Sequence, residues 1–213
     1  DGIVGPRTQS AILIFQYSQG LSATGEIDAA TLQALQKCAD GGKSINDGSV
    51  YATFVPKPTD IGDPGGGRIK VENRSKEPDP SEMINIGGYQ LHRDAAIAWA
   101  YLYTAAMEYG LASSLLKITS GYRSVKRQEE LWDAALKEYH DPEVADDVVA
   151  RPGSSEHHTG FAIDFRMSYP NKKKYIGELR ETDEYEWMVD NAKKFGFYNY
   201  EGEPWHWVYN PPR

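Results

Sequence analysis

The fold of this chain is decided by one short stretch, Ser155-Glu-His-His-Thr-Gly-Phe-Ala-Ile-Asp164. From position 160 to 165, small or acidic side chains alternate with large apolar ones. This period of two is typical of a β-strand, whose successive side chains point to opposite faces. We expect the apolar face to enter the core. The small face, which ends in Asp164, would leave room for a metal ion and a substrate.

Three side chains in this stretch and near the end of the chain have the chemistry of a zinc site. His157, Asp164 and His206 offer two imidazoles and one carboxylate, although His158 could replace its neighbour if residues 155–159 form a loop. Three protein ligands leave a fourth tetrahedral position for water, which distinguishes catalytic from structural zinc. A carboxylate beside that water can take its proton during attack on a carbonyl. The pattern therefore predicts a zinc hydrolase.

The carboxylate for this role is Glu203, which stands three residues before His206 in the segment Glu203-Pro-Trp-His-Trp207. In a regular strand, Glu203 would share a face with Trp205 and Trp207, opposite to His206. Pro204 lacks an N–H and restricts the conformation of its neighbour. We therefore expect a bend at Pro204 that brings Glu203 and His206 to one metal.

Together, the two motifs resemble the VanY-type D-alanyl-D-alanine carboxypeptidases, over residues 88–210. The family pattern Ser-x-His-x-x-Gly-x-Ala-x-Asp matches the first stretch without a gap, and the match selects His157 over His158 as the ligand. The family's Glu-x-x-His falls on Glu203 and His206. The resemblance implies one zinc ion per chain.

A third family segment, Ser-Gly-Tyr-Arg-Ser followed by Gln, matches residues 120–124 and Gln128. The resemblance implies that Glu203 acts as general base and later as general acid. It implies that Arg123 stabilises the oxyanion or grips substrate carbonyl and carboxylate oxygens, and a guanidinium has a fixed fork of donors suited to either task. Ser155 and Gln128 would help to hold the C-terminal end of the substrate.

These implied roles favour a D,D-carboxypeptidase that removes the terminal D-Ala from peptidoglycan stem peptides. Three alternatives stay open within the same superfamily, which includes lysostaphin-type peptidases and hedgehog domains. One is an endopeptidase such as a phage-type endolysin, and another is an L,D-carboxypeptidase. The third is a non-catalytic zinc module, and the presence of both Glu203 and Arg123 weighs against it.

Composition excludes several other classes of protein. The 213 residues carry a net charge of −8, whereas a nucleic-acid-binding surface is normally basic. Cys38 is the only cysteine, so no disulfide can form within the chain. We expect no membrane span, because no run of about 18 apolar residues occurs, and no signal peptide in the chain as given. The family resemblance nevertheless implies an extracytoplasmic location.

The N-terminal region contains a repeat, because residues 1–8 and 24–31 share a glycine turn followed by a cap-like residue and a helical pattern. The repeat resembles a peptidoglycan-binding domain whose usual first helix is missing from this chain. Residues 1–38 are therefore interpreted as part of a wall-binding module with a possible glycan contact, or else as a small helical packing element. We expect their removal to leave activity on small soluble peptides nearly unchanged.

The rest of the chain is predicted to form a linker region and a catalytic domain. Residues 39–87 are rich in Gly and Pro and are interpreted as linker plus an extension of the catalytic domain, which spans residues 88–213. The fold class is α+β, an antiparallel sheet with packed helices around the zinc site, preceded by a small helical module. The predicted elements are helices at 93–109, 128–139 and 184–195 and strands at 50–55, 68–72, 115–119, 160–165 and the C-terminal Trp-rich segment.

Overall fold

The computed structural model describes residues 5–40 and 77–210, so the predicted strand-like pieces at 50–55 and 68–72 lie outside the described residues. The helices are α1 (Pro6–Ser18), α2 (Ala29–Asp40), α3 (Arg93–Tyr109), α4 (Val125–Tyr139), α5 (Pro142–Val148), α6 (Ile176–Arg180) and α7 (Asp183–Asn191). The strands are β1 (Met83–Ile86), β2 (Tyr89–His92), β3 (Ile118–Ser120), β4 (Ala162–Phe165), β5 (Phe197–Tyr200) and β6 (Glu203–Tyr209).

The main sheet has four antiparallel strands in the order β3-β4-β6-β5. Its two central strands carry two of the three predicted metal ligands, Asp164 on β4 and His206 on β6, and these two residues pair directly. The strand begins at Ala162, two residues later than predicted. Ile163 and Phe165 are fully buried in the core as expected, and Ala162 is fully buried as well. The sheet and its helices confirm the α+β fold class.

The longest helix among the described residues, α3, forms the centre of the core. It contacts α1 and the β1–β2 hairpin, and its buried side chains share one apolar cluster with the sheet. The helix has the predicted bounds and ends at Gly110, which adopts a left-handed conformation with φ of 111°. Such a residue is commonly glycine, because a side chain would be strained there. None of the described helices combines the length and apolarity that crossing a bilayer requires.

The β1–β2 hairpin was not predicted from the sequence, and it crosses the boundary expected at residue 88. Its two turn residues are Gly87 and Gly88, both with positive φ. Two such residues form the tight turn that matches the twist of antiparallel strands, and glycine tolerates this conformation best. The hairpin thus joins the end of the Gly- and Pro-rich region to helix α3.

The first N-terminal helix, α1, packs on the rest of the molecule. Leu13, Ile14 and Ala23 belong to the same apolar cluster as α3 and the sheet. The side chain of Gln9 also accepts a hydrogen bond of 3.0 Å from the backbone N–H of Gly87 in the hairpin turn. The described part of the N-terminal region therefore shares a hydrophobic core with the sheet and helices that follow.

A buried glutamine joins the two halves of the N-terminal repeat. Gln16 accepts hydrogen bonds from the backbone N–H groups of Thr24 and Gly25, both at 2.9 Å. Its amide nitrogen donates to the Glu26 carbonyl and the Thr31 hydroxyl, at 2.8 and 2.9 Å. Because both ends of the amide are satisfied, this polar side chain can be buried without an unpaired donor or acceptor.

Candidate active site

The three predicted metal ligands meet at one point in the structure. His157 lies on a short 3-10 segment, Glu156–Thr159, that ends at Gly160 immediately before β4. The carboxylate oxygen Oδ1 of Asp164 lies 3.3 Å from His157 Nε2 and 2.8 Å from His206 Nδ1. One ligand atom from each of the three residues can be chosen so that all lie within 4.8 Å of one another. Local chain geometry thus gathers two imidazoles and a carboxylate.

Gly160 is required where the 3-10 segment turns into the strand. Its φ is +72°, and a Cβ at this position would lie 2.9 Å from the backbone nitrogen of His92. That nitrogen donates a hydrogen bond of 3.0 Å to the Gly160 carbonyl. A side chain would therefore be both strained and in collision, so glycine allows His157 and Asp164 to converge.

Hydrogen bonds outside the cluster prepare both histidines to bind a cation. His157 Nδ1 lies 2.7 Å from the Gly121 carbonyl, which can only accept, so Nδ1 carries the proton and Nε2 keeps its lone pair. His206 Nε2 lies 3.0 Å from the Glu156 carboxylate, an arrangement that leaves Nδ1 as the ligand atom. Ligating histidines usually donate their second N–H to a carboxylate or carbonyl in this way. This donor set fits zinc.

The charges of the cluster are strongly coupled. Burial alone would raise the pKa of Asp164, but His157 and His206 outweigh burial and hold that pKa well below its usual range. Burial alone would lower the pKa of His206, but hydrogen bonds to Asp164 and Glu156 raise it to about 10. The two neighbouring carboxylates therefore favour the protonated form of His206.

Arg123 lies between the cluster and α4. Burial lowers the pKa of its guanidinium, and the carboxylates of Asp164 and Glu203 partly offset that effect, so both carboxylates act on this cation. Two of its N–H groups donate to Gln128 Oε1 at 3.0 Å and to Ser120 Oγ at 3.2 Å. An arginine that is partly buried and oriented can present its other donors to an anionic group.

The pairing of β5 with β6 shifts in register beside Glu203. Asn199 and Tyr200 are adjacent on β5, yet their partners on β6, Trp207 and Glu203, are four residues apart. The side-chain amide of Asn199 bridges this bulge by donating to the carbonyls of Glu203 and His206, at 3.1 and 2.9 Å. Pro204 lies within β6, so the irregularity seen here is a register shift, and the expected approach of Glu203 to the metal ligands stays a prediction. The two tryptophans that were expected on one face pack into different apolar clusters.

The two adjacent histidines, His157 and His158, have different hydrogen-bond partners. His158 is fully buried, and its ring contacts backbone groups instead of the metal ligands. Its Nδ1 lies 2.7 Å from the Arg123 carbonyl, and its Nε2 accepts a hydrogen bond of 3.2 Å from the Gly153 N–H. Both ring nitrogens are occupied, so His157 is the member of the pair that can bind a metal.

The two residues predicted to hold the substrate occupy different surroundings. Ser155 is buried at the start of the 3-10 segment, and its carbonyl accepts a hydrogen bond from the His158 N–H. Gln128 has no exposed surface, and its amide contacts Arg123 on one side and the Ala150 carbonyl on the other. The sequence analysis did not identify Glu156 as the hydrogen-bond partner of His206. The signal that could have indicated it is a carboxylate directly beside the candidate ligand His157.

Two family models match the chain. Residues 88–212 match the model described as D-alanyl-D-alanine carboxypeptidase, VanY. Residues 1–35 match the model described as "Putative peptidoglycan binding domain". The first match includes every residue placed in the site above, and the second includes α1 and the start of α2.

Named relatives and a solved structure are also similar to the chain. The Bacillus subtilis protein "Putative carboxypeptidase YodJ" is 34% identical over 130 residues, covering 56% of this chain and 46% of that protein. An Enterococcus faecalis D-alanyl-D-alanine carboxypeptidase is 28% identical over 111 residues, covering 43% and 39%. The chain thus spans less than half the length of these curated relatives. The structure of the LdcB LD-carboxypeptidase matches with a TM-score of 0.53 at 29% identity, covering 64% of this chain and 70% of that one.

Proposed function

The chain belongs to the VanY D-alanyl-D-alanine carboxypeptidase family, and we propose that it is a zinc-dependent peptidase that removes the C-terminal D-Ala from peptidoglycan stem peptides. The observation that carries the proposal is the convergence of His157, Asp164 and His206, with ring nitrogens oriented by outer hydrogen bonds. This donor set is that of a catalytic zinc site, because it leaves a coordination position open.

Each residue has a role in this proposal. Zinc, when bound, would polarise the substrate carbonyl and lower the pKa of a water molecule. Glu203 takes the proton from the attacking water and passes it to the amine of the departing D-alanine. Arg123 donates hydrogen bonds to oxygens of the substrate that carry or develop negative charge. Ser155, which is buried, stays a predicted contact of the substrate's C-terminal end. Gln128 was predicted in the same role, but both ends of its amide contact the protein, at Arg123 and at Ala150.

Two features support a location outside the cytoplasm and a contact with the wall. The family is described as D-alanyl-D-alanine carboxypeptidase, an activity whose substrate end occurs in wall peptides, and residues 1–35 match a peptidoglycan-binding model. We propose that the stem peptide is the partner of the zinc site and that residues 1–38 contribute a glycan contact. No nucleic acid is expected as a partner, given the net charge of −8.

Glu203→Gln tests the general base. The substitution is nearly isosteric and cannot accept a proton, so we expect zinc content to be kept and turnover to fall about 10²- to 10⁴-fold. Glu201→Gln is the matched control, because Glu201 is exposed on the same β5–β6 connection. Mass spectrometry of products from defined stem peptides, with zinc present, gives the rates. Turnover of Glu203→Gln within a few-fold of wild type would remove Glu203 from the mechanism.

Exopeptidase action is tested with one stem peptide whose C-terminus is free or amidated. A free carboxylate can pair with Arg123, whereas an amide carries no charge, and a hydrogen bond to a charged group contributes roughly 1.5–3 kcal/mol. We expect amidation to lower kcat/KM at least about tenfold. Equal cleavage of both peptides, or cuts inside the stem, would favour an endopeptidase.

One observation favours a second candidate, L,D-carboxypeptidase activity, because the LdcB LD-carboxypeptidase has a similar structure. The two activities differ in the residue before the scissile bond, which is D-Ala in a pentapeptide stem and an L-configured centre in a tetrapeptide stem. Comparing kcat/KM on these two peptides decides between them. Preference for the tetrapeptide would replace the D,D assignment and leave the zinc chemistry unchanged.

A further inference from the structure

We propose that two buried bridges, His158 and Gln128, hold Arg123 in place by joining it to the segment formed by residues 150–153. In this role both side chains act through Arg123, so both are positioning residues. The inference rests on the proposed function to the extent that Arg123 acts on substrate. The bridges themselves are geometric and can be tested without turnover.

The first bridge acts on the backbone of Arg123. His158 Nδ1 donates to the Arg123 carbonyl at 2.7 Å, and Nε2 accepts from the Gly153 N–H at 3.2 Å. A carbonyl can only accept and an amide N–H can only donate, so a single tautomer of the neutral ring satisfies both contacts. The ring has no exposed surface. It therefore fixes the separation between the Arg123 backbone and the Gly153 turn.

The second bridge acts on the guanidinium of Arg123. Gln128 Oε1 accepts from Arg123 Nη1 at 3.0 Å, and Gln128 Nε2 donates to the Ala150 carbonyl at 2.6 Å. This side chain is also without exposed surface. Both ends of the amide are thus used within the protein, which explains why a glutamine suits this position better than a charged or apolar residue.

Both bridges connect Arg123 to residues 150–153, one from its backbone carbonyl and the other from its guanidinium. The Arg123 N–H also donates to the His157 carbonyl at 3.1 Å, while His157 Nδ1 contacts the Gly121 carbonyl at 2.7 Å. The adjacent histidines therefore divide their tasks: His157 presents a metal ligand, and His158 anchors the loop that carries Arg123. The position of the cation relative to the metal ligands is set by these contacts.

The activity test compares three variants. His158→Gln and His158→Phe change the histidine bridge, and Gln128→Met changes the glutamine bridge. His158→Gln keeps one donor and one acceptor, whereas His158→Phe keeps a ring and loses both. Gln128→Met keeps the length of the side chain and loses both polar contacts. Small misplacements of a positioning group can cost about 100-fold in rate, so we expect His158→Phe and Gln128→Met to lower kcat/KM about 10- to 100-fold. His158→Gln should stay within a few-fold of wild type, and His140→Asn, at an exposed histidine, serves as control.

The specificity of the loss is measured in an Arg123→Ala background. If the bridges act through Arg123, the loss from His158→Phe should disappear there, whereas a general structural defect would add to that of Arg123→Ala. Zinc content should stay unchanged throughout. Additive losses, or equal losses for His158→Gln and His158→Phe, would overturn the proposal.

A second readout does not depend on any substrate. In NMR spectra of the wild type, we expect the Arg123 guanidinium N–H signals to show restricted rotation and the Gly153 amide to be protected from hydrogen exchange. Gln128→Met should remove the restriction on guanidinium rotation, and His158→Phe should remove the protection of the Gly153 amide. If no stem peptide is cleaved but these signals change as expected, the bridges stand and the proposed function fails. Unchanged signals in both variants would overturn the bridges.

Discussion

At the scale of single residues, the candidate site depends on hydrogen bonds made by its outer atoms. His206 contacts Asp164 through Nδ1 and Glu156 through Nε2, at 2.8 and 3.0 Å. Two carboxylates favour protonation of both nitrogens, so a zinc ion bound at Nδ1 would replace one proton while the contact with Glu156 is kept. This exchange of a proton for a metal ion can be tested in two ways.

The first prediction concerns Glu156, whose carboxylate orients His206. Loss of such an outer partner typically costs 10- to 100-fold in metal affinity, so Glu156→Gln should weaken zinc binding by about that factor. Competition with a fluorescent chelator measures the affinity. Glu130→Gln is the matched control, because Glu130 is an exposed helix residue paired with Arg127. Wild-type affinity in Glu156→Gln would show that the contact does not orient the ligand.

The second prediction concerns pH. The pKa of His206 is raised to about 10, so the imidazole is protonated across the neutral range and zinc must displace one proton. Apparent zinc affinity should therefore rise about tenfold per pH unit, still rising between pH 7 and 8.5. With an unperturbed histidine, of pKa about 6.5, the affinity would level off above neutrality. Calorimetry in buffers of different ionisation enthalpy measures both the affinity and the protons released, and a flat profile in this range contradicts the prediction.

At the scale of elements, glycine conformations determine where segments end and turn. Two helical segments were predicted to end at Gly110 and Gly196, and both glycines adopt the left-handed conformation. Glycine tolerates this conformation at the end of a helix better than a residue with a side chain. The hairpin turn at Gly87 and Gly88 carries an equally clear two-glycine signal between short apolar segments. It was missed because the surrounding Gly- and Pro-rich composition favours a linker.

Gly160→Ala tests the turn between the 3-10 segment and β4. The positive φ and the 2.9 Å approach to the His92 nitrogen should lower the free energy of unfolding by about 1–3 kcal/mol. Zinc affinity should fall as well, because the turn sets the distance between His157 and Asp164. Gly177→Ala is the control, since it lies in α6 with open space around it and should be neutral or slightly stabilising. Chemical denaturation of both variants gives the comparison, and equal stabilities would contradict the strain argument.

At the scale of the whole molecule, the shared core changes the expectation for the N-terminal region. Leu13 is fully buried in the cluster that contains α3 and the sheet. Removal of residues 1–38 would expose this apolar surface and lower stability, so we now expect activity to fall on small peptides and on wall material alike. The glycine- and proline-rich composition of residues 39–87 gave no indication of this packing.

Leu13→Ala measures the coupling without deleting a segment. A buried leucine replaced by alanine typically costs about 2–5 kcal/mol, and we expect that loss in a single cooperative unfolding transition. Leu32→Ala is the matched control, because Leu32 lies on α2 with 49% of its surface exposed. The two variants are compared by thermal and chemical unfolding followed with tryptophan fluorescence. A separate early transition in Leu13→Ala, with the main transition unchanged, would show that the N-terminal helices unfold independently.

The sequence by itself determined the α+β class, the long helix and its end, and the identity of the three side chains that gather as candidate ligands. The fold class and the helix follow from local periodicity and glycine conformations. The ligand set follows from residue types at fixed spacing together with the family resemblance, which selected His157 over His158. Only the tertiary structure decided the tasks of Glu156, His158 and Gln128, the register shift beside Glu203, and the packing of α1 on α3. Each of these depends on contacts between segments distant in the chain, such as Glu156 with His206 and His158 with Arg123. No local pattern encodes which buried polar atoms will face one another once the chain has folded.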